Sequence, residues 1–261
     1  MHPTLWGAIL YFMAPQRSEV YHAFLPELIR DPANRKKRAV VLSAPFQTGL
    51  GARVHVVLRM THHRDVGDGR QPTVAEVPSP RGDAGCDEPA FIDCAYVLPV
   101  LFGKARSDQP RSLLNCVGGP AIGMLPLSRM HAVEGCLFEL ITAPESRRPV
   151  DPNVFGRGSV IPGRDPELAE LVISNEVLHS RRRVAVVVPM LRFAPAHRGL
   201  ASRTVRAVDR DGTWTHAFVP LVEDVRSVDM RAMIRTPLPD RLTETDLSRV
   251  VDRVLLHLGV Y

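Results

Sequence analysis

Apolar residues along this chain gather in short runs of Val, Ile and Leu, set apart by Pro, Gly, Asp and Arg. Runs of that length, rich in β-branched side chains, predict buried β-strands. They also recur in order. The first half reads Gly7-Ala8-Ile9-Leu10, then Ala39-Val40-Val41-Leu42-Ser43, then Val54-His55-Val56-Val57-Leu58. The second half answers with Gly158-Ser159-Val160-Ile161, Leu171-Val172-Ile173-Ser174-Asn175 and Val184-Ala185-Val186-Val187-Val188. An Ala-Phe pair opens a further strand in each half, at Ala90-Phe91 and Ala217-Phe218. Two copies of one small β-rich domain in one polypeptide predict an intrachain pseudo-dimer.

Each copy ends in a segment of helical period. Met130, Val133, Leu137, Leu140 and Ile141 form one apolar stripe, and Leu247, Val250, Val251, Val254, Leu255 and Leu258 form the other. Thr243 or Thr245 is placed to cap the second. Val20, Phe24, Leu25 and Leu28 show the same period and predict a short helix over residues 18–29. The expected fold is β-rich α+β: two small, bent barrels, each closed by a C-terminal helix. Residues 144–155, rich in Pro, Arg and Asp, set the boundary, giving domains at 1–145 and 152–261. Residues 66–89 read as a long loop and Gly118-Gly119-Pro120 as a turn.

The formal charge of +5 is modest for 261 residues, so the clusters carry more information than the total. Arg35-Lys36-Lys37-Arg38 and Arg181-Arg182-Arg183 are expected at matching places around the second strand of each copy. They read as solvated loop charge or as a phosphate-facing surface. Four cysteines without a C-x-x-C spacing suit a reducing cytoplasm, with Cys94 and Cys136 expected as buried thiols. No stretch is long enough to span a membrane, and the apolar start, Leu5 to Pro15, lacks the basic flank of a signal peptide. His55, His62 and His63 invite a metal reading. However, neighbouring strand side chains point to opposite faces, so His62 and His63 do not converge, and no metal site is expected. Trp214 reads as a packing or hairpin residue, with a base-stacking platform as the alternative.

The second half carries a more specific phrase. Glu223-Asp224-Val225-Arg226-Ser227-Val228-Asp229 resembles the E-Q-I-R-T-[IL]-D segment of the MazF/PemK family of toxin ribonucleases. Glu170-Leu171-Val172-Ile173-Ser174-Asn175 is similar to the family's R-P-V-[LV]-V-I-S-N strand. Val186-Val187-Val188-Pro189 is similar to its V-V-V-P strand, and residues 242–259 to its closing helix. The resemblance covers residues 156–261. It is weaker over 5–142, where Tyr96-Val97-Leu98-Pro99-Val100 replaces the E-Q-I-R-T phrase.

The resemblance implies an SH3-like barrel that pairs, with single-stranded RNA in a groove between the two copies. It also implies cleavage without metal or cofactor, by an Arg just before the second strand and a Thr or Ser after the third. A guanidinium grips phosphate oxygens in its fork and a hydroxyl donates to the transition state, so those residue types suit a phosphorane. Carried onto this chain, the Arg and hydroxyl positions of the second copy fall on Leu168 and Leu191, with Ala169 at the family's Pro. That copy is chemically empty unless Arg164, outside the matching position, reaches inward. The first copy offers Lys37, with Arg38 beside it, and Thr61. Catalysis is thus expected from Lys37, Arg38 and Thr61, and RNA contacts from Arg35, Lys36, His62 and His63.

These readings imply a cytoplasmic, monomeric endoribonuclease toxin with a cognate antitoxin protein. The alternatives are an inactive RNA- or protein-binding module of the same fold and a gyrase-targeting toxin resembling CcdB.

Overall fold

The computed structural model describes residues 15–24, 36–48, 51–60, 74–77, 90–102, 116–143, 155–163, 165, 167–175, 183–194, 199, 203–209, 211–233 and 240–260. The protein is β-rich, with two α-helices among the described residues. It divides into two compact units, residues 1–93 with 98–133, and residues 94–97 with 134–261.

The first unit is built on β1 (Glu19–Phe24), β2 (Lys36–Val41), β3 (Phe46–Thr48), β4 (Gly51–Met60), β5 (Val74–Val77), β6 (Ala90–Phe102) and β7 (Cys116–Met124). Strand order is β3-β4-β2-β1-β7-β6-β5, and β4 also pairs with β6, closing a ring. Helix α1 (Leu127–Thr142) follows β7. It buries Met130, Val133, Leu137, Leu140 and Ile141, the stripe its 3.6-residue period predicts.

The second unit holds β8 (Ser159–Pro162), β9 (Leu168–Val172), β10 (Val184–Arg192), β11 (Val205–Val208), β12 (Trp214–Pro220), β13 (Arg226–Asp229) and β14 (Asp240–Leu242). Six of these close an antiparallel barrel in the order β12-β11-β14-β8-β9-β10, with β10 returning to β12 and β13 added beside β10. Every residue from Val184 to Met190 is buried. Ala185 and Val187 pack with Phe155, Ile161, Val172 and Met233, so β10 is covered on both faces. That explains a continuous apolar run where a half-exposed strand would alternate. Helix α2 (Glu244–Leu258) starts at Thr243, whose hydroxyl accepts the Asp246 amide, and ends at Gly259 in the left-handed region. All six residues of its predicted stripe are buried.

The two sheets share some hydrogen-bond details. Ser43 accepts the amide of His55 at 2.8 Å, and Ser174 accepts that of Val186 at 2.9 Å. Leu42 donates to the His55 carbonyl as Ile173 donates to that of Val186. The repeat differs from expectation at its start. Gly158 donates to the Val172 carbonyl and accepts from Leu242; the residue that donates to Val41 and accepts from Leu125 is Ser18, not Gly7. Ser18 and Gly158 both take positive φ, 71° and 86°. Gly7 to Leu10 lies outside the described residues.

Four other expectations are corrected. The helix expected over 18–29 is strand β1 from Glu19 to Phe24, paired with β2 and β7. With neighbours on both sides, Val20, Tyr21 and Ala23 are all buried, and ladder pairing overrides the helical spacing. The expected loop at 66–89 contains β5, paired with β6. Gly118-Gly119-Pro120 lies inside β7, where the register against β1 shifts between Val20 and His22. A bulge accommodates a proline that a regular ladder would not. Finally, Arg183 directly precedes β10, whereas Lys36 to Arg38 open β2, so the described residues of the two basic clusters are not at matching places.

Candidate functional site

Strand β2 opens with Lys36, Lys37 and Arg38, and the last two are half-buried. In the ladders, Arg38 lies opposite His22 on β1 and opposite Arg59 on β4. One row across three adjacent strands therefore holds three residues able to carry positive charge. Arg35, Thr61, His62 and His63 lie outside the described residues, as does Arg164.

The second unit shows how the matching positions are arranged. Leu168 on β9 is the direct ladder partner of Leu191 on β10. Two positions far apart in sequence, those the resemblance assigns to a cation and a hydroxyl, thus face each other across one ladder. Ser43 and Ser174 are 131 positions apart, and the same offset relates the Arg38–Arg59 pair to the Ala169–Met190 pair. It carries Leu168 onto Lys37 and Leu191 onto Met60, the last residue of β4, one before Thr61. Beside Leu168, Glu170 accepts from Arg226 at 3.0 Å, joining β9 to the Val225-Arg226-Ser227 phrase. Ser227 is buried; it accepts the Val97 amide at 2.8 Å and donates to the Ala95 carbonyl at 2.7 Å. Its hydroxyl is occupied by backbone, so within the second unit it holds residues 95–97 to β13.

His55 is fully buried and stacks on Phe46 with ring centroids 5.5 Å apart, a packing role. Among the described residues no group of three His, Cys, Asp or Glu side chains is arranged to hold a metal ion. Cys94 is buried as expected, but Cys136 on α1 is only half-buried. A hydrogen bond from Cys94 lowers the Cys136 pKa, against opposing effects of burial and Glu139. Burial raises the Tyr21 phenol, reinforced by its hydrogen bond to Glu19.

Trp214 is not a packing residue. It is 56% exposed at the start of β12, with the Arg206 guanidinium 4.3 Å from its ring centroid. Arg206, Trp214, Thr215, His216 and Ala217 line an open cavity of about 270 Å³. The Thr215 hydroxyl donates to Asp240 at 2.6 Å, and His216 Nδ1 lies 3.9 Å from the same carboxylate oxygen. Sequence reading reached Trp214 alone. Its partners come from β11 and β14, and the Asp-Gly pair at 211–212 is the turn signal that could have placed β11 beside it.

No protein-family model matches this chain, and no curated protein is similar to it in sequence. No described helix is long and apolar enough to cross a membrane.

Proposed function

We propose that this protein is a toxin-like, metal-independent endoribonuclease acting on single-stranded RNA, built from two SH3-like barrels in one chain. The observation that carries this reading is the ladder pairing of Leu168 with Leu191. The resemblance requires a cation and a hydroxyl to meet, and the fold makes those two positions neighbours. In the first unit the corresponding strand end carries Lys37 and Arg38, and Arg38 lies in a register row with His22 and Arg59. Cationic side chains at that strand end suit a phosphate.

In the reaction, the ribose 2′-oxygen loses its proton and attacks the adjacent phosphorus, and the P–O5′ bond breaks. The 5′-oxygen leaves with a proton, and the other product ends in a 2′,3′-cyclic phosphate. Lys37, or Arg38 beside it on the other face of β2, stabilises the charge on the phosphorane, and Thr61 supplies a hydroxyl donor. The second unit contributes fold and no chemistry, because aliphatic side chains at 168 and 191 cannot move a proton. A cytoplasmic toxin of this kind, active as a monomer, is held in check by a cognate antitoxin protein.

Purified protein incubated with mixed single-stranded RNA in EDTA tests the reading. Cuts leaving cyclic phosphate and 5′-hydroxyl ends support it. A second reading, an inactive RNA- or protein-binding module, is favoured by Lys37 standing where the family has Arg, since lysine lacks the bidentate fork. Absence of cleavage by folded protein selects that reading.

A further inference from the structure

Exposed tryptophans are uncommon because the indole is a large apolar surface. Trp214 is 56% exposed, and what touches it is a cation. Arg206 and Trp214 face solvent from neighbouring strands β11 and β12 beside the hairpin at 209–212. Asp209 links the two strands there, its carboxylate accepting the amides of Asp211 and Thr213. The nearby carboxylates are otherwise engaged. Asp246 accepts from the Arg206 amide and from Arg249, and Asp240 accepts from Thr215. The Arg206 guanidinium itself makes no ion pair among the described residues; it lies against the indole.

We propose that Arg206, Trp214 and His216 form a base-stacking subsite for single-stranded nucleic acid on the second unit. The guanidinium covers one side of the indole, and the exposure of the ring leaves π-surface for a flat ring to stack on. A stacked guanidinium keeps its in-plane N–H donors available for a phosphate oxygen of the same nucleotide. His216, with its side chain 42% exposed, adds a second donor or stacking ring beside it. The cavity of about 270 Å³ is below the roughly 300–1,000 Å³ of typical small-molecule pockets. Its open form suits one base of a strand passing over the surface. Stacking of this kind tolerates any base, so the subsite holds the strand without reading its sequence. The inference rests on the RNA reading above and adds to it a place where the catalytically empty unit binds substrate.

The test uses the full chain with Trp6→Phe, which leaves Trp214 as the one tryptophan of the two in the sequence. The probe is a mixed-sequence 2′-O-methyl octanucleotide, which cannot be cleaved through its 2′-oxygen. Titration should quench Trp214 fluorescence saturably. In the otherwise native chain, Trp214→Ala should weaken binding, read by anisotropy of the labelled probe, by roughly tenfold or more, the scale of one lost stacking contact. Trp214→Phe should recover most of the loss. Arg206→Ala should weaken binding and flatten its salt dependence. Circular dichroism checks that the variants stay folded. Undiminished probe binding in folded Trp214→Ala overturns the subsite while leaving the RNA reading intact. No probe binding by the parent overturns both. Quenching by an acidic peptide and not by the probe assigns the surface to a protein partner and overturns the nucleobase assignment.

Discussion

The hydroxyl oxygen of Ser174 accepts the backbone amide of Val186 at 2.9 Å, and the Ser174 side chain is shut away from solvent. Serine is needed there because Val186, though paired with Ser227 on β13, has no ladder partner on its other side: β9 ends at Val172. Replacing Ser174 with Ala strands a buried N–H, which costs about 1–3 kcal/mol. Chemical denaturation should show that loss for Ser174→Ala, and a comparable one for Ser43→Ala, where the His55 amide would be stranded. Unchanged midpoints would mean that water replaces the hydroxyl.

Ser18 and Gly158 occupy corresponding turns at positive φ, but only one is glycine. A side chain in the left-handed region costs about 1–2 kcal/mol, part of which is returned by the greater freedom that glycine loses on folding. Ser18→Gly should therefore stabilise the protein by roughly 0.5–1 kcal/mol. Gly158→Ala should destabilise it, since the added Cβ would lie 3.2 Å from a Leu247 methyl as well as being strained. Thermal melts of the two variants should move in opposite directions.

The sequence showed half of the described strands and both helices. Val40 to Ser43, Val184 to Val188 and the two helical stripes are buried as their spacing required. The first strand was missed because Val20, Phe24 and Leu28 satisfy a helical period, whereas pairing on both sides of β1 is a property of distant strands. Lys37 and Arg38 were visible as a charged run. Their opposition to His22 and Arg59 depends on register, which no local pattern specifies. Arg206 and His216 escaped notice for the same reason, since each stands out only beside Trp214.

Burial lowers the pKa of His257, outweighing the carboxylates of Glu223 and Asp224, which pull it upward. The unfolded chain then binds the proton more tightly than the folded one. Stability contributed by neutral His257 is present above its unfolded value of about 6.5 and is lost as pH falls through the folded pKa. Denaturation midpoints measured from pH 8 down to pH 5 should fall, and His257→Gln should flatten the decline. An equal slope in the variant would assign the effect to other groups.

Lys37 and Arg38 carry the proposed chemistry, and Leu168 does not. Joint replacement of Lys37 and Arg38 by Ala should reduce RNA turnover by roughly a hundredfold or more, the scale of losing a positioned charge in the transition state. Leu168→Ala should lower stability and leave turnover near that of the parent. Single-turnover cleavage beside a melting curve separates the two effects. Equal rates in all three folded proteins would remove Lys37 and Arg38 from the active site.

The second unit draws on two separate stretches of chain, 94–97 and 134–261. Ser227 bonds to Ala95 and Val97, and Asn175 bonds to the carbonyls of Glu139 and Leu140. A gene fragment beginning after the proline-rich segment at 144–155 would encode all of the closed barrel yet lack both of those footings. The second barrel is therefore not a freely transferable cassette. Cutting the chain at its most obvious seam would release a barrel whose Ser227 and Asn175 have lost those partners.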